Sequence, residues 1–74
     1  MSAREQAQTA FTRVLLEKVR EDNHPSTTQM QLIEQTIPRA LVGEYLTILL
    51  EKVAADRSPS IEMLRRIQRV ASSL

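Results

Sequence analysis

Apolar residues in the first part of the chain recur at spacings of three and four, not two, which is the pattern of a helix with one side turned inward. They are Ala7, Phe11, Val14, Leu15 and Val19, with Leu16 widening the stripe. Ser2 stands at an N-cap position with Glu5 three residues on, so a helix is predicted from about Ala3 to Glu21. The polar run Asp22-Asn23-His24-Pro25-Ser26 ends it. Pro25 disfavours helical geometry at His24, and Ser26 with Gln29 repeats the capping signature. A second helix is therefore predicted to about Thr36, with Met30, Ile33 and Ile37 as its inner stripe. Pro38 punctuates the chain, and a third helix follows from near Pro38 or Arg39 to near Ala55. Its stripe is Leu41, Tyr45, Ile48, Leu49 and Val53, broadened by Leu50. Gly43 costs roughly 1 kcal/mol against alanine in a helix interior, so it is expected to allow a close contact or to mark a bend near the helix start. Past Asp56-Arg57-Ser58-Pro59-Ser60, a fourth helix places Ile61, Leu64, Ile67, Ala71 and Leu74 on one inward stripe.

The two halves of this pattern are copies. At an offset of 34 residues, Phe11–Ile37 lies over Tyr45–Ala71, with identities at Leu15/Leu49, Leu16/Leu50, Glu17/Glu51, Lys18/Lys52, Val19/Val53, Asp22/Asp56, Pro25/Pro59, Ser26/Ser60 and Ile33/Ile67. Phe11/Tyr45, Val14/Ile48 and Met30/Leu64 are pairs of similar shape. The period equals that of the tetratricopeptide repeat, but neither copy has that family's Trp or Leu-Gly positions, and two units fall short of the three or so that a solenoid needs. No named family is resembled closely enough to transfer a function. The expected fold is all-α: a small four-helix bundle made of two tandem helix-turn-helix hairpins. The expected organisation is one domain over residues 1–74, with repeat units of about 3–37 and 38–74.

Composition narrows the class. One glycine, three prolines and two aromatic residues leave little for strands or hairpin turns. Without cysteine, no disulfide framework, thiolate nucleophile or Cys-ligated metal is available. No apolar run approaches the roughly 20 residues of a membrane span, and Met-Ser-Ala-Arg-Glu-Gln lacks the apolar core of a signal peptide. The expectation is a cytoplasmic protein with no membrane association.

Candidate chemistry is thin. The repeated Asp-x-x-Pro-Ser turn is accounted for by helix termination at Pro, capping by Ser and turn hydrogen bonds to Asp. A nucleophilic Ser26 or Ser60 needs a base within hydrogen-bond reach, and the second copy has no histidine. His24, the single histidine, with Glu21 and Asp22 makes an incomplete metal-ligand set. Lys18 and Lys52 lie within the apolar arcs, where their stems cover apolar surface while the ammonium groups reach outward. The chain is read as no enzyme, with no cofactor, no metal and no small-molecule substrate.

Surfaces carry the remaining information. The first and third helices are apolar over more than half of their circumference, which exceeds what a small bundle covers. Phe11, Val14, Leu16, Tyr45, Ile48 and Leu50 are the candidate protein interface, and the expected partner is a second copy or another protein. Charge is uneven: residues 57–74 carry +3, while residues 1–36 and 37–56 carry −1 each. Arg65, Arg66 and Arg69 form a candidate basic strip on the fourth helix, opposite Ile61, Leu64 and Ile67. The function expected is a self-associating, homodimeric interaction or adaptor module. The alternative is a nucleic-acid-binding domain using that strip, against which stands a net charge of only +1.

Overall fold

A computed structural model of the chain describes residues 2–74. Among them are four α-helices and no strand: α1 (Ala3–Glu21), α2 (Thr27–Thr36), α3 (Val42–Ala55) and α4 (Ile61–Ser72), with a 3-10 turn at Arg39–Leu41 leading into α3. The fold is all-α. Its contacts divide the chain into two compact units, Met1–Arg39 and Ala40–Leu74.

In the first unit α1 packs against α2. Ser2 caps α1 by accepting from the Glu5 amide at 3.1 Å. Ser26 accepts from the Gln29 amide at 3.1 Å while the Gln29 side chain accepts from the Ser26 amide at 3.2 Å, a reciprocal pair that starts α2. Between the helices the His24 amide donates to the Asp22 carboxylate at 3.0 Å. The helices are unequal: 19 residues against 10, or about 28 Å against about 15 Å. A helix as short as α2 covers only the turn-proximal half of α1, and every residue from Ala3 to Gln8 is exposed. The buried side chains of α1 are Thr12, Leu16 and Val19, and those of α2 are Met30 and Ile33.

This differs from the stripe expected for the first helix. Ala7, Phe11 and Val14 are exposed, Leu15 is half-buried, and Leu16, expected at the margin, is in the core. The apolar arc of α1 is wide enough to hold two candidate faces, and the covered one is the i, i+4, i+7 set Thr12, Leu16, Val19. Thr12 is tolerated there because its hydroxyl donates to the Gln8 carbonyl at 2.9 Å, which removes the cost of an unsatisfied buried polar group.

In the second unit α3 packs against α4, and the lengths match better, at 14 and 12 residues. Leu41, Tyr45, Ile48 and Leu49 are buried, as the third-helix stripe predicts, with Val53 half-buried and Leu50 exposed; Val42, outside that stripe, is buried as well. The turn repeats the first: the Ser58 amide donates to Asp56 at 3.0 Å, and Ser60 caps α4 by accepting from the Met63 amide at 3.0 Å. Gly43 is the second residue of α3, just past the 3-10 turn, and no atom lies within 4 Å of where its Cβ would be. It lies at the join between the 3-10 turn and α3 and makes no close approach.

The fourth helix corrects its expected stripe. Arg66 and Val70 are buried, Met63 and Ile67 are half-buried, and Ile61, Leu64, Ala71 and Leu74 are exposed. Successive residues are about 100° apart around a helix, so Arg66 and Val70 lie about 40° from one another. Turning Met63 and Val70 inward therefore carries Arg66 with them and leaves Leu64 outside.

Candidate interaction surface

The six apolar residues expected to form an interface separate into two groups. Leu16, Tyr45 and Ile48 are interior, each at most 1% exposed, so they build the units and have no surface to offer a partner. The reason is geometric: each belongs to the side of its helix that the packing encloses. Phe11, Val14 and Leu50 remain outside, at 51%, 56% and 50% exposure.

Phe11 and Val14 are three residues apart on α1 and therefore neighbours on one side of it. They lie beyond the arc that holds Thr12, Leu16 and Val19. Leu32 on α2 is a further exposed apolar side chain of this unit. In the second unit, Leu50 on α3 is joined among the exposed large apolar residues by Ile61, at 64%, and by Leu64 and Leu74. Ile61 and Leu64 are again an i, i+3 pair. These three were expected in the core, and their exposure is the other half of Arg66 being inside.

The basic strip is reduced in the same way. Arg65 and Arg69 are exposed, four residues apart on one face of α4, whereas Arg66 is only 3% exposed. Its long aliphatic stem fits an apolar setting better than a shorter cation would. The Arg66 Nε is buried without a hydrogen-bond acceptor, although the residue is engaged in other interactions. Two surface arginines a turn apart are a small electrostatic footprint. Residues outside the expected stripes, Thr12 and Arg66, had a sequence signal: Thr12 belongs to the i, i+4, i+7 set Thr12-Leu16-Val19 and Arg66 to the i, i+3, i+7 set Met63-Arg66-Val70, and each set competes with the expected stripe.

Polar chemistry in the turns is local. His24 is exposed, Ser26 and Ser60 are occupied as caps, and Asp22 and Asp56 hold turn amides. Among the described residues, no three His, Asp or Glu side chains are grouped to hold a metal ion. No helix among them is long and apolar enough to cross a membrane. Comparison with protein-family models, with curated proteins and with solved structures gives no match.

Proposed function

We propose that the protein is a small non-enzymatic interaction module, built from two helical hairpins of one repeated 34-residue unit, and that it self-associates. One observation carries the reading. Each unit leaves large apolar side chains in water at positions whose aligned residues in the other unit are buried: Phe11 and Val14 against Tyr45 and Ile48, and Leu50 and Leu64 against Leu16 and Met30. Scattered exposed leucines are ordinary on a protein surface, but exposed pairs on adjacent helical turns in both units are suited to burial against another chain. A second copy supplies the same surfaces, which is the commonest solution for soluble oligomers.

Sedimentation equilibrium over a wide concentration range tests it. The expected mass is twice the 8.4 kDa of the chain, and the double variant Phe11→Ser, Val14→Ser is expected to be monomeric with its helical circular dichroism intact. A wild-type chain that stays monomeric at millimolar concentration overturns the proposal.

A further inference from the structure

The fourth helix contains two inward faces, and the structure uses the one that its apolar residues favour less. The enclosed set is Met63, Arg66, Ile67 and Val70. The set left at the surface includes Ile61, Leu64 and Ala71. Ile67 lies between the two sets, so a roll of α4 about its own axis by roughly one residue step, about 90°, exchanges them while keeping Ile67 inside. The aligned helix α2 shows the alternative in use: it buries Met30 and Ile33, the counterparts of Leu64 and Ile67, and leaves Leu32, the counterpart of Arg66, exposed.

We infer that α4 has a second rotational register in which Leu64 and Ala71 are enclosed and Arg66 joins Arg65 and Arg69 outside, and that this register is the phosphate-binding form of the protein. Residues 65–69 advance about 6 Å along the helix, and in the second register the three guanidinium groups share an arc of about 100°. That footprint matches two adjacent phosphate groups, for which arginine's planar donor array is the suited partner. In the first register Arg66 is withheld and the strip is incomplete. A phosphate ligand that binds the second register better than the first shifts the population toward it by that difference in affinity. The inference is separable from self-association, since Phe11, Val14 and Leu50 lie on other helices and keep their exposure in either register, and only Leu64 is shared between the two readings.

The absence of cysteine makes the test direct. Val70 is buried and Ala71 exposed; the roll reverses both, and neither is an arginine. Single variants Val70→Cys and Ala71→Cys would be labelled with a thiol reagent at micromolar protein, with and without inorganic tripolyphosphate. The expected result is a crossing: labelling at position 70 accelerates about tenfold and labelling at 71 slows by a similar factor. Unchanged rates, or rates that rise together as in local unfolding, overturn the inference. If Val70→Cys does not fold, Met63→Cys, half-buried on the same enclosed face, takes its place, and its labelling should accelerate while labelling at 71 slows. The same measurement in Arg66→Met should lose the response to tripolyphosphate; a response that persists overturns the role of Arg66. A short DNA duplex that produces the crossing at far lower phosphate concentration assigns the phosphates to nucleic acid, and equal potency assigns them to a free polyphosphate.

Discussion

The two units share their turns and much of their sequence, yet they bury different sides of their helices. In the first, α1 turns Thr12, Leu16 and Val19 inward and leaves Phe11 and Val14 out; in the second, α3 encloses Tyr45, Ile48 and Leu49 and leaves Leu50 out. α2 and α4 differ in the same sense, with Met30 and Ile33 buried in one and Arg66 and Val70 in the other. Two aligned pairs explain the divergence. Gln8 stands where α3 has Val42, so the set Gln8-Phe11-Leu15 is interrupted by a polar residue while Val42-Tyr45-Leu49 is continuous. Thr36 likewise stands where α4 has Val70, and Thr36 is exposed with its hydroxyl donating to the Leu32 carbonyl at 2.9 Å. A wide apolar arc does not choose its own inward side. The residue at the end of each competing stripe is where the two units differ.

The largest effects are expected from truncating aligned residues whose burial is opposite. Leu16→Ala and Ile48→Ala should each cost about 2 to 5 kcal/mol, the range for deleting a large buried aliphatic side chain. Their counterparts Leu50→Ala and Val14→Ala should cost no more than about 0.5 kcal/mol in the monomer. Urea unfolding followed by circular dichroism at low protein concentration reads all four. Equal losses within either aligned pair would mean that the units bury the same side after all.

Next in size are the residues that decide the faces. Val70→Thr places a hydroxyl in an enclosed position and should cost about 1 to 3 kcal/mol. The reverse change in the other unit, Thr36→Val, is at an exposed site and should stay within about 0.5 kcal/mol. If both changes proved neutral in urea unfolding, face selection would have to come from elsewhere in the units.

Local signals and packing differ in how far the sequence alone reveals them. Helix number, the turns and the caps were readable, because Ser2, Ser26 and Ser60 act through hydrogen bonds three residues away and Pro25 and Pro59 act on the residue before them. Those effects are local and need no knowledge of packing. Most of the third-helix core was also readable, since Leu41, Tyr45, Ile48 and Leu49 form a stripe with no equal rival; Val42, which that stripe omits, joins them in the core. The sides of α1 and α4 were not, because each carries two stripes of comparable apolar content and the choice depends on the neighbouring helix. Leu16 and the middle of the arginine strip were misplaced for that reason, whereas Tyr45 and Ile48 belong to the readable core stripe and are lost to the interface because packing within their own unit encloses them. The start of α3 was drawn slightly early: Arg39–Leu41 forms a 3-10 turn, and α3 begins at Val42.

The turns offer a gentler comparison, because their aligned residues behave alike. Ser26→Ala removes both an acceptor for the Gln29 amide and one side of a reciprocal pair, and should cost about 1 kcal/mol. Ser60→Ala removes only the acceptor for the Met63 amide, since Met63 cannot return the bond, and should cost the same or slightly less. Neither change should alter self-association at protein concentrations where the variant is folded. A loss of association without a loss of stability would give the serines a role at the surface that the turn geometry does not require.

The smallest effect is expected where the units diverge at a helix start. α1 runs unbroken through Thr9, but the aligned position in α3 is Gly43, and the cap residue of α3, Leu41, makes no side-chain capping bond, unlike Ser2, Ser26 and Ser60. The Gly43 backbone does not have positive φ, and a methyl group there meets nothing within 4 Å. The carbonyl that accepts the Thr47 hydroxyl at 3.0 Å belongs to the main chain and is kept by any residue. Gly43→Ala therefore loses no contact and reduces the conformational freedom of the unfolded chain, which should stabilise the protein by about 0.4 to 1 kcal/mol. In a domain of this size that is a rise in Tm of roughly 2 to 8 °C. An unchanged or lower Tm would show that the join between the 3-10 turn and α3 depends on a glycine, and that the second unit reaches its different inward side partly through its backbone and not through Val42 and Val70 alone.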